Sequence, residues 1–453
     1  MTDSQNTPID AYGLPLESAW PRLILTYDRA LPRYTSYPTV PNWKDDPEAA
    51  RARVLGAARD AGEVALYVHV PFCPSLCYYC ACNRYITRDA SLVDRYLDAV
   101  ERELDAVAIT CGLLRITALH WGGGTPNSLD PSQTRRLFES VIDRFELSGD
   151  AEISIEVDPR LATQPQIALL GQLGFNRLSA GVQDFNERTQ AAIHRMQSLE
   201  QTKATIEWAR ASGIRGINVD LIYGLPHQSR ATFARTLEQV SGLAPDTIAM
   251  YAYAHVPWVN SAQRIYEREL PAQLEKFGML VDANRFFADS GYEAIGIDHF
   301  AAPASELAAA GRTGRLQRTF MGYTPVRADT LIGIGASAIS ASPAAFSQNT
   351  SGVVEYIDAP AGPISKRGCI LCDDDITRAR IIGAIMTRGC AAFSDLSEEK
   401  AAYERLRSMA ADGLVKIDGA RVTLTPLGRL FARNVAACFD AYASDTSKHA
   451  AAV

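Results

Sequence analysis

The chain has 453 residues, which at about 150 residues per domain suggests roughly three units. It carries 45 Lys and Arg against 52 Asp and Glu, a formal net charge of -7, and is 47% hydrophobic and 21% charged. That composition excludes a long disordered tail, a collagen-like repeat and a small disulfide scaffold, and the acidic balance argues against a dedicated nucleic-acid binder, because such binding rests on neutralising phosphates.

The opening stretch, MTDSQNTPIDAYGLP, is polar and acidic with no apolar signal core, and no run approaches the ~20 apolar residues of a membrane helix. A cytoplasmic protein without a membrane is expected. The PRYTSYPT segment, Pro32 to Thr39, is dense in Tyr and Thr and reads as a lid. Six apolar, β-branched runs follow, each ahead of a helical pattern: Val64 to Phe72, Ile116 to Trp121, Ala151 to Val157, Arg177 to Val182, Gly216 to Tyr223 and Thr247 to Ala254. Their starts recur at roughly 30 to 50 residues, as repeated βα units do. Near-continuous apolar strands such as INVDLIYG fit a parallel sheet covered on both faces.

The expected architecture is α/β, an incomplete (β/α)6 TIM-like barrel. It divides into an N-terminal arm over residues 1–60, the barrel and its extension over 61–372, and a small winged-helix-like cap over 373–453. In the last unit two helical stretches, ITRARIIGAIM and EEKAAYERLRSMAAD, precede a hairpin, LVKIDGARVTLT, turning at Asp418-Gly419, and a final helix, PLGRLFARNVAACFDAY. Residues 373–453 carry eleven Lys and Arg and eleven Asp and Glu. A neutral segment is a better structural cap than a DNA reader.

In a reducing compartment the nine cysteines are not a disulfide framework, and metal or redox chemistry is the leading question. Cys73, Cys77, Cys80 and Cys82 fall together directly after the first strand. Zinc prefers two C-x2-4-C pairs closing a tetrahedron, whereas this C-x3-C-x2-C run sits on one loop with no matching pair nearby. Cys369-x-x-Cys372, flanked by Gly368 and Asp373, reads as a surface turn, and Cys111, Cys390 and Cys438 as small buried hydrophobes. Three thiolates on one loop suit three irons of a four-iron cluster and leave the fourth iron open.

Unusual residues also fall at the strand ends: HWGGGTP after the second, Glu156 and Asp158 on the third, Gln183 on the fourth, Asp220 on the fifth. A glycine run lets backbone approach a ligand or simply makes a tight turn, and each polar residue alone is equally a helix cap. Together with the cysteine loop they indicate one shared site, since barrels place functional residues at the C-terminal ends of their strands. Carboxylates, Gln and Arg suit a ligand with ribose hydroxyls, an ammonium and a carboxylate, the last facing Arg195.

The cysteine spacing is the signature of radical S-adenosylmethionine (SAM) enzymes. Within that superfamily the chain resembles the oxygen-independent coproporphyrinogen III oxidase (coproporphyrinogen dehydrogenase) family from about Pro32 to Tyr442. The resemblance rests on PRYTSYPT, YVHVPFC-x3-C-x2-C-x-C, HWGGGTP, EISIEVDPR, GFNRLSAGVQDFN, NVDLIYGLP, GYEAIGIDHFA, FMGYT and GASAIS. It implies a [4Fe-4S] cluster on Cys73, Cys77 and Cys80, with SAM chelating the open iron. Tyr67, Tyr79, Gly123, Gly124, Thr125, Glu156, Gln183, Arg195, Asp220, Ala254 and Ile339 match the family's SAM contacts. Cys82 is the additional cysteine typical of the family, while His194 and Met196 stand where Asn and Glu are expected.

The implied activity belongs to heme and porphyrin biosynthesis. A SAM-derived radical takes a hydrogen from a propionate β-carbon of coproporphyrinogen III, and loss of CO2 and an electron leaves a vinyl group. Two such decarboxylations give protoporphyrinogen IX. An electron donor protein, an electron acceptor and a monomeric enzyme are expected, and Arg33, Arg84 and Arg264 are expected to meet the substrate carboxylates. A heme-trafficking relative shares the barrel and the three-cysteine loop, but it has an aromatic residue at the position of Cys82 and lacks PRYTSYPT. A winged-helix regulator with a cluster sensor is disfavoured by the neutral C-terminal segment.

Overall fold

The six apolar runs form the strands β1 (Glu63–Val70), β2 (Arg115–Gly123), β3 (Glu146–Val157), β4 (Arg177–Gln183), β5 (Gly216–Tyr223) and β6 (Thr247–Ala252) of a computed structural model. The structure describes residues 7–325, 328–359, 365–394 and 399–443, so the outer ends of the expected arm and cap, 1–6 and 444–453, lie outside the described residues. β1 stops short of Phe72 because Pro71 has no N–H to continue a ladder. Phe72–Cys73 instead pairs in parallel with Tyr85–Ile86 and roots the cysteine loop.

Further along the chain come β7 (Glu293–Ile295), β8 (His299–Ala301), β9 (Leu331–Ile334), β10 (Ile339–Ser342), β11 (Ala345–Asn349) and β12 (Ser365–Ile370). The twelve strands make one sheet in the order β12-β11-β10-β9-β1-β2-β3-β4-β5-β6-β8-β7. β9 pairs in parallel with β1, so the parallel run has seven strands, with antiparallel strands on both edges. The end strands do not pair with each other, and the barrel stays open.

Helices on the outside start from side-chain caps placed just after the strand ends. Asp130, Ser198 and Ser229 each accept backbone N–H bonds of the first turn of Pro131–Ile142, Leu199–Ala211 and Arg230–Gly242. Strand ends and helix starts are thus brought to one rim. Burying strands on both faces leaves polar side chains only where they line the lumen or the mouth.

The N-terminal arm and the C-terminal segment share the barrel's core. Trp20 meets Phe277 edge-on with centroids 5.6 Å apart, and Tyr27 packs on Phe431 at 5.3 Å. Arg33 donates to Ala252 O at 3.1 Å, which carries PRYTSYPT to the end of β6, while Tyr34 reaches Asp440 at 3.0 Å. Helix Pro47–Ala61, also in the arm, covers the edge strands β11 and β12.

The expected final helix is two short ones, Pro426–Leu430 and Ala432–Ala437, broken at Phe431, whose ring turns into the core against Tyr27 and Phe277. The hairpin Val415–Asp418/Arg421–Leu424 gains a third strand, Cys390–Ala392. No helix among the described residues is long and apolar enough to cross a membrane.

Candidate active site at the barrel mouth

The cysteine loop is held by backbone contacts from three directions. Tyr78 N donates to Ile193 O at 2.9 Å, Asn260 Nδ2 donates to Tyr78 O and Cys80 O, and Gln263 Nε2 donates to Tyr79 O at 2.9 Å. His194 Nδ1 lies 2.8 Å from Leu76 O and its ring stacks on Tyr78 at 4.9 Å. The departure from the family pattern at His194 is therefore a clamp on the loop, and Met196 points to solvent.

The thiols differ sharply in environment. Cys73 Sγ lies 3.2 Å from Thr125 Oγ1, and burial pushes its thiol up to about 11. Cys77 faces two guanidinium groups, Arg160 Nη2 at 3.4 Å and Arg195 Nη1 at 3.6 Å. A hydrogen bond from Cys82, together with Arg84 and Arg195, outweighs burial at Cys80 and draws its thiol down to about 6, while Cys82 is driven well up.

Among the described residues, no three His, Cys, Asp or Glu side chains gather closely enough for a single metal ion. What the loop does offer is three thiols on a rigid backbone with cations beside them to compensate thiolate charge. That donor set fits an iron–sulfur cluster.

Arg195 is expected to meet a ligand carboxylate, yet within the chain it already bonds Asp158 Oδ2 at 3.1 Å and Gly181 O at 2.7 Å. Its Nε is buried without a partner. Asp158, also held by Arg160 at 2.6 Å, stays below the usual carboxylate range despite burial.

The glycine run has an immediate packing cause. Gly124 N donates to Val70 O and Thr125 N to Phe72 O, both at 2.9 Å. A Cβ on Gly124 would lie 2.4 Å from Pro71 O, and one on Gly123, at φ +114°, 2.3 Å from His69. The strand end thus lies against the root of the cysteine loop, which only glycine permits.

Tyr79, Gly123, Gly124, Thr125, Gln183, Arg195 and Asp220 line one cavity of about 380 Å³, together with Cys80 and Cys82. Tyr67 and Ile339 line a second cavity of about 690 Å³. Glu156, Cys82, Met321 and Leu331 belong to both and mark where they meet. Ala254 lines neither, but its carbonyl accepts from Gln263, which also holds Tyr79. Of the three expected substrate arginines, Arg33 stacks over Tyr251 at 5.2 Å, Arg84 donates to Cys82 O at 2.9 Å, and Arg264 is exposed away from both cavities.

Several cavity residues escaped the sequence reading. His120 stacks on Tyr67 at 5.8 Å, lies 2.7 Å from Ser154 Oγ, and brings Nε2 to 3.5 Å from Glu156. Burial raises the Glu156 carboxyl, but His120 and the Gly123 N–H, at 3.1 Å, hold it below the usual range. Asp220, bonded to Ser179 and Asn218, is pushed up to about 6 by burial and by the charge of Glu156. The signal was present: period two along β2, β3, β4 and β5 puts His120, Ser154, Ser179 and Asn218 on the same face as the expected residues.

Residues 67–240 match the model of the radical SAM superfamily. The chain is 39% identical over 433 residues to the oxygen-independent coproporphyrinogen III oxidase of Escherichia coli (strain K12), covering 93% of this chain and 94% of that one. It is likewise 39% identical to the Pseudomonas aeruginosa enzyme of the same name, over 93% of this chain and 95% of the other. The solved structure of coproporphyrinogen III oxidase from Escherichia coli, described as a radical SAM enzyme, superposes with a TM-score of 0.87 at 37% identity, covering 97% of this chain and all of that one. The chain belongs to the oxygen-independent coproporphyrinogen III oxidase family of radical SAM enzymes, whose cofactors are a [4Fe-4S] cluster and SAM.

Proposed function

We propose that the protein converts two propionate side chains of coproporphyrinogen III to vinyl groups, giving protoporphyrinogen IX without oxygen. The observation that carries this reading is the convergence on one cavity of Tyr79 and Cys80 of the C-x3-C-x2-C loop with Gly123, Thr125, Glu156, Gln183, Arg195 and Asp220, in a chain that matches the family over nearly its whole length.

Cys73, Cys77 and Cys80 would hold the cluster, and SAM would lie along the glycine run with Glu156, Gln183 and Asp220 in reach of its hydroxyl and ammonium groups. When bound, the cluster and SAM supply one-electron, hydrogen-abstracting chemistry that no side chain can provide. The chain's own part is to position and to shield. Asn260 and Gln263 fix the loop backbone, Arg160 and Arg195 compensate negative charge at Cys77, and the Gly123 N–H with His120 keeps Glu156 ionised and aimed into the cavity. PRYTSYPT, anchored through Arg33 at the end of β6, would cover the mouth as a lid. An electron donor protein and a separate acceptor complete the redox balance, and the monomer is the working unit.

The test is anaerobic incubation of cluster-reconstituted protein with coproporphyrinogen III, SAM and a low-potential reductant. The proposal expects protoporphyrinogen IX and 5′-deoxyadenosine. Absence of both, from protein with a full cluster, would overturn it.

A further inference from the structure

Gln183 lines the cluster cavity from a backbone conformation that side chains seldom adopt. Its φ is +70°, in the left-handed region, and the Asp184 N–H donates to Val182 O at 2.9 Å across it. A three-residue turn of that hand is rare and strained. The β4–β5 register slips at the same point, between Gly181 and Gln183. Such a turn persists only where its surroundings over-determine it.

Here the surroundings converge on the next residue, Asp184, which is fully buried. Its Oδ1 accepts from Thr236 Oγ1, on helix Arg230–Gly242, and from Asn186 N at 3.1 Å. Its Oδ2 accepts from Gln228 Nε2 at 2.9 Å. Gln228 also donates to Ile222 O and accepts from Leu225 N, which ties the turn to the end of β5, just beyond Asp220. The Asp184 carbonyl accepts from Gln190 Nε2 at 2.8 Å. The Gln190 side chain also pairs with the C=O and N–H of Gln197, and its own carbonyl accepts from Arg195 N at 2.9 Å. Asp184 thus joins the strained turn, the end of β5 and the loop that carries Arg195.

A buried carboxylate with satisfied hydrogen bonds is most often a packing node. This one lies behind the place where two cavity side chains meet. A Cβ on Gly181 would lie 3.0 Å from Gln183 Nε2 and 3.1 Å from Arg195 Nη2, so amide and guanidinium share the same ground at the cavity wall. The segments bearing these two side chains are the ones that Asp184 holds.

We infer that Asp184 is a positioning residue for the SAM site, keeping Gln183 in its left-handed turn and, through Gln190, setting the loop of Arg195. The inference rests on the proposed function, which puts both side chains at SAM, and deepens it. An amide cannot replace the carboxylate. With its oxygen toward Asn186 N–H its NH2 meets the Gln228 amide, and the reverse orientation sets it against Asn186 N–H.

The test uses full-length, cluster-loaded protein without tetrapyrrole and reads Kd for SAM by equilibrium dialysis, with iron per chain and thermal melting alongside. Asp184→Asn should raise Kd about ten- to a hundredfold, as for other residues that orient binding groups, and leave iron per chain unchanged. Thr236→Val, which removes a hydroxyl bonded to Asp184 and the Phe185 N–H, should raise it about two- to tenfold, the share of one hydrogen bond. Asp246→Asn is the control. Asp246 accepts from Ile217 N at 2.8 Å at the opposite end of the strands, so this variant should melt lower yet bind SAM as the wild type does. An unchanged Kd in Asp184→Asn overturns the inference, and so does an equal rise in Asp246→Asn. Should Asp184→Asn fail to fold, an unchanged Kd in Thr236→Val overturns it alone. Cluster-loaded wild-type protein that binds no SAM would instead strike the proposed function.

Discussion

Two stretches of this chain share the spacing Cys-x-x-Cys, and only one is built for chemistry. In the loop after β1, Cys77 and Cys80 sit among Arg160, Arg195 and Arg84, on a backbone held by Asn260, Gln263 and His194. At the end of β12, Cys369 is buried opposite Phe346 and its thiol is pushed up to about 12 by burial and by Asp45 and Asp375. Cys372, at the start of helix Asp373–Arg388, donates its backbone N–H at 3.2 Å and its Sγ at 3.1 Å to the Asp375 carboxylate. Spacing alone does not decide whether a pair of thiols binds a metal. Cations stabilise thiolates, the form that ligates, and carboxylates oppose them.

The largest expected contrast is between replacing the two sets. Cys73→Ala, Cys77→Ala and Cys80→Ala should each abolish both the iron–sulfur absorption band and product formation, whereas Cys369→Ala and Cys372→Ala should keep both. Loss of the band in Cys372→Ala would erase the distinction. Next in size is Arg195→Lys, which keeps the charge but loses the fork that joins Asp158, Gly181 O and Cys77. Turnover should fall about 10–100-fold, as for other residues that orient metal ligands. Full activity would show that the guanidinium contacts are incidental.

A third contrast is read by pH in the cluster-free protein. Cys80, with its thiol near 6, is ionised at pH 7, and its reactivity should fade only as pH drops through about 6. Cys369, near 12, stays protonated throughout. Brief alkylation at pH 7 followed by peptide mapping should label Cys80 well ahead of Cys369, and the opposite order would contradict the electrostatic account. The smallest effect belongs to the exposed Cys372 thiol, whose only lost contact is its bond to Asp375. Cys372→Ala should lower stability by about 0.5 kcal/mol, the low end for one hydrogen bond, and leave kcat unchanged.

What was legible in the sequence is what neighbouring residues encode. β1 to β6 announced themselves by apolar runs, and the cysteine loop by spacing. The mouth residues followed because strand ends in an α/β barrel face one way. The extension of the sheet beyond β1 is another matter. Leu331–Ile334 is four residues long and pairs in parallel with β1, some 270 residues earlier, so no local pattern marks it. With it came the second cavity, which is why Tyr67 and Ile339, matched to one ligand, line a different wall from Gly123 and Gln183. Asp298 was hidden for the same reason. Its carboxyl, buried and held far down by Arg318 at 3.5 Å and by His299, has meaning only once the segments carrying Asp298 and Arg318 meet. The break at Phe431 reflects a tertiary demand, a ring needed in the core, overriding a continuous helical pattern.

The central claim is that three cysteines bind the cluster and that Cys82, although beside Cys80, leaves the fourth iron free for SAM. Electron paramagnetic resonance of the reduced, reconstituted Cys82→Ala protein tests it most directly. The account predicts a full complement of cluster and a signal that shifts when SAM is added, as in the wild type. A cluster that fails to assemble without Cys82, or a wild-type signal indifferent to SAM, would mean that a fourth thiolate closes the site.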